Sequence, residues 1–261
     1  MLANPAGNSW GCVLARTIAV ANQKGGVAKT TSTLALGASL SELGRRVLLV
    51  DLDPQACLTF SLGVDPDLVT DSVHDVLAGR IPIGKSIQQL PETDLVPSNI
   101  DLAGAEAYLL TRTGREYVLK MALEDVLPHY DFVMIDCPPS LGVLTINALT
   151  AADEVIIPLQ CEALSHRGVG QLLETIDDVR RITNRGLRID GILPTMYDGR
   201  TQHSRDVLED VGTRYDLRVF DPPVRKSIRF AEAPRSGRSI LAYASHHPGA
   251  DAYRAIARQL L

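Results

Sequence analysis

Short apolar runs recur along the chain, each closed by turn residues. They lie at 17–22 (TIAVAN), 46–53 (RVLLVDLD), 93–98 (TDLVPS), 131–138 (DFVMIDCP), 154–160 (EVIIPLQ), 189–197 (IDGILPTMY) and 217–224 (LRVFDPPV). They are rich in Val, Ile and Leu and do not alternate with polar residues, which predicts parallel strands buried on both faces. Between them the period changes to that of a helix. Residues 30–43 place Leu34 and Ala38 at helical spacing, with Gly44 as a stop signal, and 168–183 and 203–214 also read as helices. Strand–helix alternation predicts an α/β fold: a doubly wound, mostly parallel sheet with helices on both faces. The stretch from about 65 to 125 is less regular and reads as a helical insertion. Without a Pro/Ser-rich linker, repeat or low-complexity tract, residues 17–261 read as a single domain, and residues 1–16 as an extension open to flexibility.

In such a sheet ligands sit beyond the carboxyl ends of the strands. Three stretches fall there: Gln23–Thr31, Asp51–Gln55 and Asp136–Gly142. The first lies within NQKGGVAKTT, which has the outline of a phosphate cradle but breaks the common pattern G-x-x-x-x-G-K-[ST] twice, with Gln23 and Ala28 at its two glycine positions. Loop N–H groups and a helix N-terminus present partial positive charge to an anion, and Gly25 and Gly26 let the backbone wrap closely. Lys29 is placed to neutralise terminal phosphates and the Thr30 hydroxyl to ligate Mg²⁺. Ala28 is tolerable there if it already has helical dihedrals. Lys24 has no role in a simple cradle. Asp51 and Asp53 end one strand and Asp136 another, where a carboxylate can hold a Mg²⁺-bound water or cap a turn.

Composition narrows the field. The 261 residues carry a formal net charge of −5, so any contact with nucleic acid needs a local basic patch. Aromatics make up 5%, too few for base-stacking platforms. The four cysteines are scattered without C-x-x-C, and the six histidines lack metal-ligand spacing. The first 16 residues do not read as a signal peptide, and no run of about 18 apolar residues predicts a membrane helix.

The stretches ANQKGGVAKTTSTLALGASLSELGRRVLLVDLDPQ, DFVMIDCPPSLGVLTINALTAADEVIIPLQCEAL, GILPTMYDGRT and SIRFAEAPRSGRSI resemble the deviant-Walker P-loop ATPases of the MinD/ParA superfamily, and most closely the ParA/Soj partition branch. The resemblance implies an ATP- and Mg²⁺-dependent ATPase that forms a nucleotide sandwich dimer, is slow alone and is accelerated by a ParB/Spo0J-type stimulator. It implies that Lys24 is the signature lysine reaching the partner subunit's ATP, that Gly25, Gly26, Val27, Ala28, Lys29, Thr30 and Thr31 hold the phosphates, and that Thr30 and Asp136 serve the metal. Asp53 matches the aspartate that positions the attacking water. Such proteins are cytoplasmic and nucleoid-associated, and bind double-stranded DNA rather than membrane.

Between Arg180 and Arg238 there are thirteen Lys and Arg against eight Asp and Glu, so this window is near +5 and the remainder near −10. Such a window suits salt-sensitive, sequence-independent backbone contact. The resemblance points to Arg200 and Arg229 as DNA-binding positions. It also marks one departure: the family's usual proline near the adenine is replaced by Arg225 in RKSIRFAEAP. Rival readings are a MinD-like positioning ATPase, for which an amphipathic membrane helix is required, and a non-catalytic nucleotide-gated scaffold. The terminal ADAYRAIARQLL carries Tyr253, Ile256, Ala257 and Leu260 on one stripe, which reads as a docked helix.

Overall fold

The apolar runs assemble into one seven-stranded sheet in the structure, a computed structural model that describes residues 15–161, 165–201, 208 and 212–261. The strands are β1 (Arg16–Val20), β2 (Val47–Asp51), β3 (Gln88–Gln89), β4 (Asp94–Val96), β5 (Phe132–Asp136), β6 (Glu154–Gln160) and β7 (Arg188–Thr195). Their order is β3-β4-β2-β5-β1-β6-β7, and every pairing is parallel except β3 with β4. The expected doubly wound α/β architecture is therefore the one observed. Of the 1–16 extension, residues 1–14 lie outside the described residues, as does most of the helix expected at 203–214.

Two expectations change. The run at 217–224 is no regular strand: it makes one isolated parallel bridge, Val219 with Ile192, and a second, Arg225 with Tyr197, lies just past its end. Pro222 and Pro223 lack the N–H groups that a continuous ladder needs. Conversely β3, two glutamines on the sheet's edge, has no apolar signature and was not expected.

Among the described residues the bounded helices are α1 (Lys29–Glu42), α2 (Cys57–Ser61), α3 (Val73–Leu77), α4 (Ile83–Ser86), α5 (Leu102–Leu110), α6 (Val118–Leu123), α7 (Val143–Ala151), α8 (Ser165–Ile182), α9 (Arg229–Glu232), α10 (Ile240–Tyr243) and α11 (Pro248–Gln259), and residues 212–215 are helical as well. Successive strand residues point to opposite faces, and the core divides accordingly. Ala19, Leu48, Val50, Val133, Ile135 and Val155 pack with residues of α3 and α5–α8. Ile18, Val20, Leu49, Met134 and Ile156 pack with α1, α10 and α11. Gly37 in the middle of α1 has a packing reason, since a Cβ there would lie 2.6 Å from Leu49 Cδ2 of β2. The stripe expected on the terminal helix is buried, and Tyr253 of α11 shares a 2.9 Å hydrogen bond with Ser32 of α1. Helix α1, which leads out of the loop of interest, is thus fixed against both the sheet and α11.

Candidate functional site

Strand register brings the three candidate stretches together. Val20 of β1 pairs with Asp136 of β5, and Asp51 of β2 pairs with the same Asp136, so loops 21–28, 52–56 and 137–142 leave the sheet side by side. Asn22 anchors the first loop: its Nδ2 donates to the Pro158 carbonyl of β6 at 2.7 Å, and its Oδ1 accepts the Lys24 N–H at 3.0 Å. Lys29 Nζ crosses the loop to donate to the Lys24 carbonyl at 3.2 Å, and buried Thr195 Oγ1 donates to the Val27 carbonyl at 3.0 Å. The loop is thereby tied to β6, to β7 and to itself.

The condition set for Ala28 is not met. Its dihedrals are left-handed, φ 64° and ψ 35°, not right-handed helical. Gly26 is also left-handed, at φ 73°. A non-glycine residue in this region is strained by about 1–2 kcal/mol. Ala28 is also the N-cap of α1, and it offers no side-chain oxygen to the helix; the first turn holds no acidic residue either. The opening N–H groups of a 14-residue helix therefore face the loop uncapped by protein side chains, which is the electrostatic requirement for holding an anion.

Behind the loop lies a buried polar cluster. Asp136 is fully buried and accepts from Thr30 Oγ1 at 2.7 Å and from Thr33 Oγ1 at 3.3 Å. Burial, with Asp51 alongside, pushes its carboxyl well above the usual range, against the pull of Thr30 and Lys29. Lys29 is itself buried, which lowers its pKa despite Asp136 nearby. Burial raises Asp51 to about 6, opposed by hydrogen bonds from Thr59. Asp53, nine-tenths buried, accepts the Gln55 N–H on its Oδ1 at 2.9 Å. Three carboxylates and one lysine so packed form a charge-deficient pocket, suited to a polyanion only if a divalent cation accompanies it. Among the described residues no group of three or more His, Cys, Asp or Glu side chains forms a metal cage. A cation here would share its ligands with the anion. The donor set, hydroxyl plus carboxylate oxygen, is the hard-oxygen kind that suits magnesium.

Beside Thr31 and Ala28 a cavity of about 270 Å³ opens, walled by Met196, Val224, Phe230, Ala231 and Tyr253 and rimmed by Arg225 and Lys226. Its mainly apolar wall suits a flat heterocycle next to the loop. Its residues come from four distant segments, of which the sequence pointed to one, RKSIRFAEAP with Arg225, and to that one only through the family resemblance. Thr33, Thr59, Ser98 and Asn22 were likewise not assigned from sequence, because hydroxyl and amide residues in loops and helices carry no pattern of their own.

The basic window is not one face. Arg180 donates to the Leu187 carbonyl, Arg188 opens β7 beside Glu154, and Arg218 pairs with Asp190. Arg200, Arg225 and Arg229 belong to the other end of β7, with the loop. Arg200 is almost fully exposed and pairs with Asp198 at 3.1 Å. Arg229 pairs with Glu232 at 2.8 Å, and Tyr243 OH donates to the same carboxylate at 3.2 Å.

A parallel sheet, a cradle at its carboxyl edge and a helix that opens with Lys-Thr-Thr define a P-loop nucleoside triphosphatase of the deviant Walker class. The family model described as an AAA domain matches residues 15–189. The chain is 43% identical over 249 residues to the sporulation initiation inhibitor protein Soj of Bacillus subtilis, covering 95% of this chain and 98% of that protein. It is 49% identical over 250 residues to an uncharacterized protein of Mycobacterium tuberculosis, covering 95% of this chain and 79% of that one. A crystal structure from Mycobacterium smegmatis, named as a cobyrinic acid a,c-diamide synthase with bound ADP and magnesium, superposes with a TM-score of 0.85 at 56% identity, covering 95% of this chain and 94% of that one. The chain belongs to the ParA/Soj family of partition ATPases.

Proposed function

We propose that residues 17–261 form one ATPase domain that binds ATP with Mg²⁺, dimerises on it and holds double-stranded DNA without sequence preference until hydrolysis releases it. The observation that carries this reading is the convergence of Thr30, Thr33 and Lys29 on buried Asp136 directly behind an uncapped helix N-terminus. Gly25, Gly26, Val27, Ala28, Lys29 and Thr31 hold the phosphates. Thr30 and Asp136 hold the metal, which when bound offsets phosphate charge. Asp53 orients the attacking water, and Lys24 completes the site of a second copy. Phosphoryl transfer needs positioning and charge neutralisation more than covalent chemistry, and these groups supply both. Hydrolysis is slow until a ParB/Spo0J-type partner intervenes. Arg200 and Arg229 contact DNA phosphates. Among the described residues no helix is long and apolar enough to cross a membrane, and the reading places the protein in the cytoplasm on the nucleoid.

Two measurements test it. Asp53→Ala is expected to bind ATP and stay on DNA while turnover falls by about 10²-fold or more; ordinary turnover by that variant rejects the role of Asp53. Arg200→Glu with Arg229→Glu is expected to abolish DNA retention at low salt and leave nucleotide affinity unchanged; full retention rejects the DNA face. The name of the M. smegmatis structure favours a second reading, an ATP-dependent amide synthase. Cobyrinic acid-dependent ATP turnover by the purified protein, with no effect of DNA, decides for that alternative.

A further inference from the structure

Asp53 sits in a loop, two residues beyond the end of β2, and a residue that orients a water for in-line attack must be held to within about 0.5 Å. Among the described residues, the hydrogen bond that its own side chain accepts is a local turn bond from the Gln55 N–H. What holds its backbone is a closed ring of buried groups. The Asp53 N–H donates to Asp51 Oδ1 at 3.2 Å. The other oxygen, Asp51 Oδ2, accepts from the Thr59 hydroxyl at 2.7 Å and from the Thr59 N–H at 2.8 Å. Because that hydroxyl gives its one hydrogen to Asp51, its lone pairs are left for another donor, and the Ser98 N–H occupies one at 2.9 Å. Ser98 Oγ then donates to the Asp53 carbonyl at 2.9 Å. Both backbone polar groups of Asp53 are thus fastened, the N–H through Asp51 and the carbonyl through Ser98 together with a turn bond from the Ala56 N–H at 2.9 Å, and Thr59 joins the two halves. Asp51, Thr59 and Ser98 each show no exposed surface, so no member can be replaced by water without rearrangement.

We propose that Thr59 and Ser98 are positioning residues for hydrolysis: they set the place of the Asp53 carboxylate through its backbone and touch neither nucleotide nor water themselves. This rests on the role given to Asp53 above. Three elements meet in the ring, the end of β2, helix α2 and the segment after β4, so an error at Ser98 is transmitted over 45 positions of sequence to Asp53.

The test uses the full chain with Mg-ATP in single-turnover hydrolysis, alongside ATP affinity. Thr59→Val keeps the volume and removes the hydroxyl, leaving the Ser98 N–H without an acceptor. It is expected to slow the chemical step about tenfold or more, with ATP affinity within about twofold. Thr59→Ser restores the hydroxyl and is expected to recover most of the rate. Ser98→Ala, which removes one of the two bonds to the Asp53 carbonyl and leaves that from the Ala56 N–H at 2.9 Å, is expected to slow hydrolysis by a smaller factor, and it carries the test if Thr59→Val does not fold. Hydrolysis by Thr59→Val and Ser98→Ala at the parent rate overturns the proposal. So does a loss of rate matched by an equal loss of ATP affinity, or one that Thr59→Ser fails to reverse, since either marks the ring as structural only. An Asp53→Ala variant run in parallel separates the two levels: if it hydrolyses normally, the role of Asp53 itself falls; if it alone is slow, only the positioning ring falls.

Discussion

The two ends of this sheet are built from the same residue types with opposite electrostatics. At the amino ends of the strands, carboxylates meet arginines. Glu154, which opens β6, accepts from Arg16 of β1 and from Arg188 of β7, and its pKa falls below the usual value because these two guanidinium groups outweigh its burial. Asp131 is held low by Arg46, which reaches it through both side chain and backbone. At the carboxyl ends Asp51, Asp53 and Asp136 lie near one another with one buried lysine, and burial drives Asp51 and Asp136 upward. Asp190 is the exception at the amino end, raised by burial despite Arg218. One end resolves its charges within the chain; the other leaves them for a ligand to resolve. Size is no guide to which is which: a cleft of about 1020 Å³ opens on the amino side among Arg45, Arg46, His129 and Tyr130, far from the loop. Perturbed carboxylates mark the site better than volume does.

The sharpest way to break the comparison is to neutralise one carboxylate at each end. Asp136→Asn is expected to reduce ATP turnover by about 10²-fold or more, while the unfolding temperature of the nucleotide-free protein does not fall. The substitution removes a buried charge that Asp51 and Asp53 oppose. A clear drop in unfolding temperature measured by calorimetry shows instead that Asp136 is a stability residue.

Glu154→Gln is the mirror experiment. Turnover is expected to stay within about twofold, and stability at pH 7 to fall by about 2 kcal/mol as two charge-assisted bonds are lost. The sign with pH follows from linkage. The folded-state pKa of Glu154 is depressed, so its contribution is present above the unfolded value and is lost as pH falls through the folded one. Denaturant unfolding of parent and variant is therefore expected to differ at neutral pH and to converge in acid. A gap that persists at acid pH removes the charge pairs as its cause.

This contrast was half legible in the sequence. The Val-, Ile- and Leu-rich runs gave the parallel strands because strands buried on both faces need no alternation. Their carboxyl ends then located Lys24–Thr31, Asp53 and Asp136. Illegible were the features made by packing rather than by pattern. Gln88–Gln89 joins the sheet only because β4 is there to pair with. The apolar run at 217–224 looked like a strand, yet its two prolines limit it to an isolated bridge. The basic window read as one patch along the chain, but β7 separates its ends by about 23 Å, at 3.3 Å per residue. Thr59 and Ser98 gained a possible role only once Asp51 and Asp53 had a geometry.

The smallest effects test the backbone of the carboxyl end, where two alanines adopt left-handed dihedrals, Ala28 at φ 64° and Ala56 at φ 50°. Each caps the helix that follows a site loop, α1 after Lys24–Val27 and α2 after Asp53–Gln55. Glycine relieves about 1–2 kcal/mol of left-handed strain, but the freer unfolded chain takes back about 0.4–1 kcal/mol. At Ala28, which is half-buried, the balance favours Ala28→Gly by about 0.5–1 kcal/mol. At Ala56, only 2% exposed, the lost methyl removes a further ~0.8 kcal/mol of burial, and Ala56→Gly is expected to come out near neutral. The difference between the two variants is thus the informative quantity, read by chemical denaturation without nucleotide. Equal gains at both positions mean that the buried methyl of Ala56 contributes nothing. A loss at Ala28→Gly means that its side chain, which lines the cavity beside Thr31, contributes more by packing than its backbone loses by strain.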